Sequence, residues 1–159
     1  MAAEDQKFPV HWGFDPHSIA EAWEERRKGE RIRGASTITQ QLAKNLFLTP
    51  EKTVARKLRQ MILAVQIEQI YTKDEILAMY LNQIYLGKGA YGVQAAAHTF
   101  FGKDVWELGP AECTMIAGMI QMPERYSPLH PLDRAYERRA TVLETMISAG
   151  HITRTAAEA

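Results

Sequence analysis

Two stretches of this 159-residue chain carry side chains that could do chemistry. The first, EDQKFPVHWGFD, crowds Glu4, Asp5, His11 and Asp15 with Phe8, Trp12 and Phe14. A carboxylate set among aromatic rings loses hydration, which lifts its pKa toward the range useful for general acid or base work. Glu4 is the first candidate. His11, two residues before Gly13, reads either as a base or as a hydrogen-bonded structural histidine. The second stretch runs from Gly34 to Gln60, GASTITQQLAKNLFLTPEKTVARKLRQ, and packs small hydroxyl residues, two adjacent glutamines and a run of cations into one short span. From Arg26 to Gln60 ten basic residues stand against Glu30 and Glu51, a local excess of eight in a chain of zero formal net charge. On charge alone that is either a functional ridge or a solvated cationic face balanced by acidic helices elsewhere.

Helices must hold these residues. Ser36 reads as the N-cap of a helix from Thr37 to about Leu46, whose exposed end would attract anions. Thr49 and Pro50 read as N-cap and first position of a longer helix, with Val54, Leu58, Met61, Ile62, Val65 and Ile70 as its apolar face. On its polar side Lys52, Arg56 and Gln60 stand four apart as a ridge, with Lys57 beside it. Asp15-Pro16 opens an earlier helix that turns Ile19, Ala22 and Trp23 inward and ends near Gly29, before a basic segment from Gly29 to Arg33 that reads as a mobile flap. Thr72 to Glu75 is a capping box for a helix with Ile76, Leu77, Tyr80 and Leu81 on its apolar side and Asn82 near its end. LGKGAYG is a glycine-built connection, followed by an alanine-rich helix from Gly92 to Gly102. Gly109-Pro110 starts a helix that Pro123 ends, a further helix runs from about Asp133 to Ala149 with Gly150 closing it, and Thr153 opens a last capped turn. There is no convincing strand and no internal repeat. The fold class is all-α.

Hydrophobic residues make up 46% of the chain and charged residues 24%, ordinary values for one soluble globular domain. No apolar run approaches the roughly 18 residues of a membrane span, and no signal peptide opens the chain. Residues 1–159 read as a single domain trimmed of an N-terminal membrane anchor and of any C-terminal domain, soluble by itself. Cys113, the one cysteine, falls in an apolar helical pattern and reads as a buried structural residue, so no internal disulfide can form. Metal-ligand cysteine and histidine spacings and phosphate-loop or dinucleotide glycine motifs are absent.

Taken together the stretches resemble the glycosyltransferase family 51 domain, the peptidoglycan glycosyltransferase of class A penicillin-binding proteins and monofunctional transglycosylases. Five signatures recur in family order between Glu4 and about Ile152. EDxxFxxHxG is present at Glu4, Asp5, Phe8, His11 and Gly13, and GxSTxxQQ at Gly34, Ser36, Thr37, Gln40 and Gln41, followed by Lys44-Asn45. RKxxE appears as Arg56, Lys57, Leu58, Arg59 and Gln60, KDEILAMYLN spans Lys73 to Asn82, and AECTMIAGMIQMPERYSP spans Ala111 to Pro128.

The resemblance implies a lysozyme-like helical fold that polymerises lipid II at the outer face of the bacterial cytoplasmic membrane, forming β-1,4 links with inversion as undecaprenyl pyrophosphate leaves. It implies Glu4 as the base, with Asp5, His11 and Asn82 in support. Lys44, Lys52, Arg56 and Lys57 would stabilise the pyrophosphate, and Ser36, Thr37 and Gln41 would hydrogen-bond the substrate. By the same resemblance the partners are lipid II, the growing glycan, the membrane surface and phosphoglycolipid inhibitors of the moenomycin type. Trp12, Phe14, Ile19 and Trp23 are candidates for lipid contact or for core. A divalent cation, Mg or Mn, is the implied cofactor, with no organic one.

One position departs from the pattern. The third signature ends in a second glutamate that assists the leaving group or holds the cation, and this chain has Gln60. Glutamine keeps the shape but carries no negative charge, so turnover is expected to be impaired. Two other readings follow: a lysozyme-like glycan hydrolase with Glu4 as acid, and a non-catalytic lipid II or glycan-binding module. A nucleic-acid binder is disfavoured, because the basic residues alternate with buried positions and only a few aromatics accompany them.

Overall fold

Local capping chemistry sets the helix boundaries. The computed structural model describes residues 1–29, 36–49, 51, 53–129 and 131–158, and among them the regular structure is helical apart from one isolated bridge between Tyr85 and Tyr91. The Asp15 carboxylate accepts from the His17 N–H at 3.0 Å and the Ser18 hydroxyl at 2.7 Å, opening α1 (Pro16–Arg27). Ile19 and Ala22 are half-buried there. Thr37, one residue later than expected, caps α2 (Ile38–Phe47) by accepting from the Gln40 N–H at 3.2 Å. Thr53 caps α3 (Val54–Ile70), so this helix starts four residues later than the Thr49-Pro50 pair suggests. The Thr72 to Glu75 box forms as expected, with the Thr72 N–H donating to Glu75 at 2.8 Å, and opens α4 (Lys73–Gln83).

The chain divides into two compact units, in the main Ala3–Tyr80 and Leu81–Ala159. In the first, α2 packs on α3 around Phe8, Ile38, Leu42, Ala43, Ala64, Ile67, Ile76 and Tyr80. Gly13 has φ +93°, and a Cβ there would stand 2.8 Å from the Ala64 carbonyl. Only glycine lets the loop after His11 lie this close to α3.

The second unit carries α5 (Val93–Phe101), a 3₁₀ turn at Val105–Glu107, α6 (Pro110–Met119), α7 (Pro123–Tyr126), α8 (Leu132–Ser148) and α9 (Arg154–Glu158). Pro123 therefore opens a short helix, rather than only ending the one before it. Small residues dominate the packing: Ala96, Ala97 and Ala135 are buried, and Gly118 lets α8 approach α6, since a Cβ on it would meet the Arg138 side chain at 3.1 Å. Cys113 is exposed, against the buried role expected of it. The inner face of α6 is set by Thr114, Ile116, Gly118 and Met119, which turns position 113 outward.

Candidate active site

Asp5 reaches across 33 positions of sequence to accept from the Ile38 N–H at 2.9 Å, at the first turn of α2. The N-terminus of that helix is buried and already holds the protein's own carboxylate, so it is not the exposed anion seat expected from the sequence. His11 completes the lock. Its Nδ1 accepts from the Gly13 N–H at 3.1 Å, which leaves the proton on Nε2 to be donated to Asp5 Oδ2 at 2.8 Å. Glu68 Oε1 lies 3.8 Å from Nδ1, but that nitrogen is already an acceptor, so the contact is not an ion pair. His11 is a structural histidine here. Glu68 is paired with Lys73 at 2.7 Å and accepts from the Thr39 hydroxyl at 2.6 Å, and the Lys73 ammonium also donates to the His11 carbonyl at 2.6 Å.

This buried network fixes the segment that ends in Glu4. The Glu4 carboxylate accepts from the Gln41 side chain at 3.3 Å, and Gln41 in turn accepts from the Tyr80 hydroxyl at 3.0 Å. Burial, reinforced by the carboxylates of Glu4 and Asp5, pushes the Tyr80 pKa well up, so the phenol stays a neutral donor. Phe8 is buried beside this segment, whereas Trp12 is 73% exposed and does not desolvate the carboxylates.

The cationic side of the site comes from α3. The Lys57 ammonium donates to Ser36 Oγ and to Gln40 Oε1, both at 2.8 Å. Burial first, then the charges of Arg56 and Lys44, hold its pKa below the ordinary lysine value. Among the described residues no carboxylate pairs with Lys44, Arg56 or Lys57, and the Arg56 Nε is buried without a hydrogen-bond partner. An unpaired, partly desolvated cluster of cations is a ready receptor for a polyanion.

Gln60 overturns the face expected of α3. It is only 3% exposed and its amide donates to the Gln40 carbonyl at 2.7 Å, while Val54, Leu58 and Ile62 are 80%, 57% and 60% exposed. At about 100° per residue, Gln60, Ala64 and Ile67 share one face and the apolar stripe lies opposite. Arg56 and Lys57 flank the buried face. Packing against α2 decides the orientation, because its polar, hydrogen-bonding surface accepts glutamine and alanine where a wider apolar stripe has no partner.

Lys52, Gly34, Pro50 and most of the expected flap, residues 30–33, lie outside the described residues, as do the side chains of Trp23 and Arg26. Thr37 turns its hydroxyl inward to the Gly13 carbonyl at 2.7 Å. Asn82, in the last turn of α4, is counted with the second unit, where its carbonyl is the atom that a Cβ on Gly92 would meet at 2.6 Å. Among the described residues no three carboxylate, histidine or cysteine side chains gather as a cation would need, and Gln60 turns an N–H, not a charge, into its pocket. Among the described residues the donor set does not fit a protein-held divalent ion.

Sequence reasoning passed over Gln40, Glu68 and Tyr80 as individual actors. The signal for Gln40 was the pair itself. Adjacent helical residues point about 100° apart, so two glutamines in a row must face different surroundings.

The transglycosylase family model matches residues 1–147. The chain is 49% identical over 154 residues to penicillin-binding protein 1A of Aquifex aeolicus, covering 96% of this chain and 21% of that protein. It is 50% identical to penicillin-binding protein 1A of Escherichia coli, again over 96% of the chain but 18% of the relative. The chain thus spans about a fifth of the length of these relatives. The crystal structure of penicillin-binding protein 1A from Haemophilus influenzae is similar at 35% identity with a TM-score of 0.52, over 76% of this chain and 15% of that one.

Proposed function

The chain belongs to the transglycosylase family, and from that premise we propose that it polymerises lipid II into β-1,4 glycan with inversion. Glu4, held by Gln41, takes the proton from the acceptor sugar's 4-hydroxyl. The freed oxygen attacks the anomeric carbon of the growing chain, and the bond to the lipid pyrophosphate breaks with its electron pair leaving on oxygen. Lys57, Arg56 and Lys44 stabilise that charge, and the Ser36 hydroxyl is left to donate to the same group. Thr37, Asp5 and His11 act as scaffold beneath them. The observation that carries this reading is the Lys57 ammonium, half-buried between neutral partners with no described acid to pair it.

The exposed stripe Val54, Leu58 and Ile62, together with exposed Phe47 and Trp12, supports contact with the outer face of the cytoplasmic membrane, where an apolar patch beside cations finds both acyl chains and phosphates. Among the described residues no helix is long and apolar enough to cross a membrane. Phosphoglycolipids of the moenomycin type would compete for the same cations. A second reading, lipid II binding without turnover, is favoured by Gln60, which cannot act as a carboxylate.

Lys57→Met tests the assignment. With lipid II in detergent, the variant is expected to lose polymer formation by about one to two orders of magnitude while keeping its helical circular dichroism. A folded variant that polymerises like its parent would remove Lys57 from the leaving-group site.

A further inference from the structure

Gln40 is hydrogen-bonded through both ends of its side-chain amide, and the glycosyl-transfer mechanism assigns it nothing. It is fully buried. Its amide nitrogen donates to the Gly13 carbonyl at 3.3 Å, its amide oxygen accepts from Lys57 at 2.8 Å, and its backbone carbonyl accepts from Gln60 at 2.7 Å. Its neighbour Gln41 reaches Glu4 instead. One step along α2 therefore gives one glutamine to the candidate base and the next to the cation. We propose that Gln40 is a positioning residue that holds the Lys57 ammonium in place for an anionic diphosphate without neutralising it.

The residue type matters. A carboxylate at position 40 would pair with Lys57 and cancel the charge the anion needs, whereas an apolar side chain would leave the ammonium untethered and partly desolvated. The amide oxygen offers a dipole, which orients the cation and leaves its net charge intact. Gln60 supports the same arrangement from below, since its N–H on the Gln40 carbonyl fixes α2 against α3. The Gly13 carbonyl keeps a donor in Thr37 when the Gln40 amide is changed, so the loop is not abandoned by substitution. The proposal rests on the reading of the Lys57 cluster as a pyrophosphate site.

The experiment measures inorganic pyrophosphate binding to the 159-residue chain by calorimetry for the parent, Gln40→Met, Lys57→Met and the double variant. Gln40→Met is expected to weaken binding about tenfold and to add nothing once Lys57 is Met. A Gln40→Met chain that binds like the parent, or that weakens binding equally without Lys57, overturns the proposal. Gln40→Glu keeps the side-chain shape, and in it Lys57 should react several-fold more slowly with acetic anhydride than in the parent, mapped by mass spectrometry against the other lysines. An unchanged Lys57 rate would again overturn the role. If the parent itself does not bind pyrophosphate, the pyrophosphate-site reading fails and the Gln40 role fails with it; if the parent binds and only the Gln40 predictions fail, the site stands without this residue.

Discussion

The two units bury different chemistry. Of the buried polar residues among those described, Asp5, His11, Asp15, Thr37, Thr39, Gln40 and Gln60 fall in the first unit, and only Thr114 and Ser127 in the second. The second unit buries apolar residues, among them Leu86, Ile116, Met119 and Val142, with Ala96, Ala97 and Ala135 as small residues on α5 and α8. Close packing of that kind is tolerant in chemistry and demanding in volume. The first unit is the reverse, because each buried polar atom needs its partner and loses stability when the partner goes. Candidate catalytic groups sit where the scaffold is held by hydrogen bonds, which fix direction as well as distance.

That contrast can be broken deliberately. Lys73→Met leaves the Glu68 carboxylate buried with one hydroxyl for company, and should cost about 3 kcal/mol in chemical denaturation. Pairing it with Glu68→Gln should restore much of the loss. In the second unit Met119→Ala should cost about 2 kcal/mol through a cavity alone, and a polar replacement nearby should rescue none of it. If the Lys73 and Met119 variants were both insensitive to the state of Glu68, the division into polar and apolar cores would lose its energetic meaning. The smallest effect is at the edge of the first unit. Asp15→Ala should cost about 1 kcal/mol as α1 loses its cap. Burial alone would raise the Asp15 pKa, but hydrogen bonds from Ser18 and Lys7 and the His17 N–H outweigh it and lower it from 3.8 to about 2. The folded value lies below the unfolded one, so this contribution is complete above about pH 4 and is lost as the pH falls toward 2. Acid titration of the melting temperature should therefore show the parent dropping toward the variant over that window.

Much of the second unit was legible in the chain. Glycines at 92, 102 and 150 mark helix ends through a positive φ that few other residues adopt, Pro110 marks a helix start at its first position, and the structure follows them. The capping box at Thr72 was equally plain, since both halves lie within four residues. The orientation of α3 was not. Its apolar stripe is real, but burial depends on what the facing helix offers, and α2 offers Thr39 and Gln40. The partner of His11 was hidden less by chemistry than by choice among carboxylates, and Asp5 capping α2 from 33 residues away is a contact no local pattern carries. Cys113 shows the same limit, because an apolar run on a helix does not say which residue of the run turns outward.

Gln60 is where the chain departs from the pattern it resembles, and it joins the scaffold to the chemistry. Its amide now secures α2, a bond that a glutamate keeps only when protonated. The decisive measurement is lipid II polymerisation in detergent with a divalent cation, comparing the parent with Glu4→Gln and Gln60→Glu. Weak polymer is expected from the parent, more from Gln60→Glu, and a loss of about a hundredfold with Glu4→Gln at unchanged melting temperature. Polymer formation by a folded Glu4→Gln chain at the parent's rate would contradict the assignment of Glu4 as the base and, with it, the proposed mechanism.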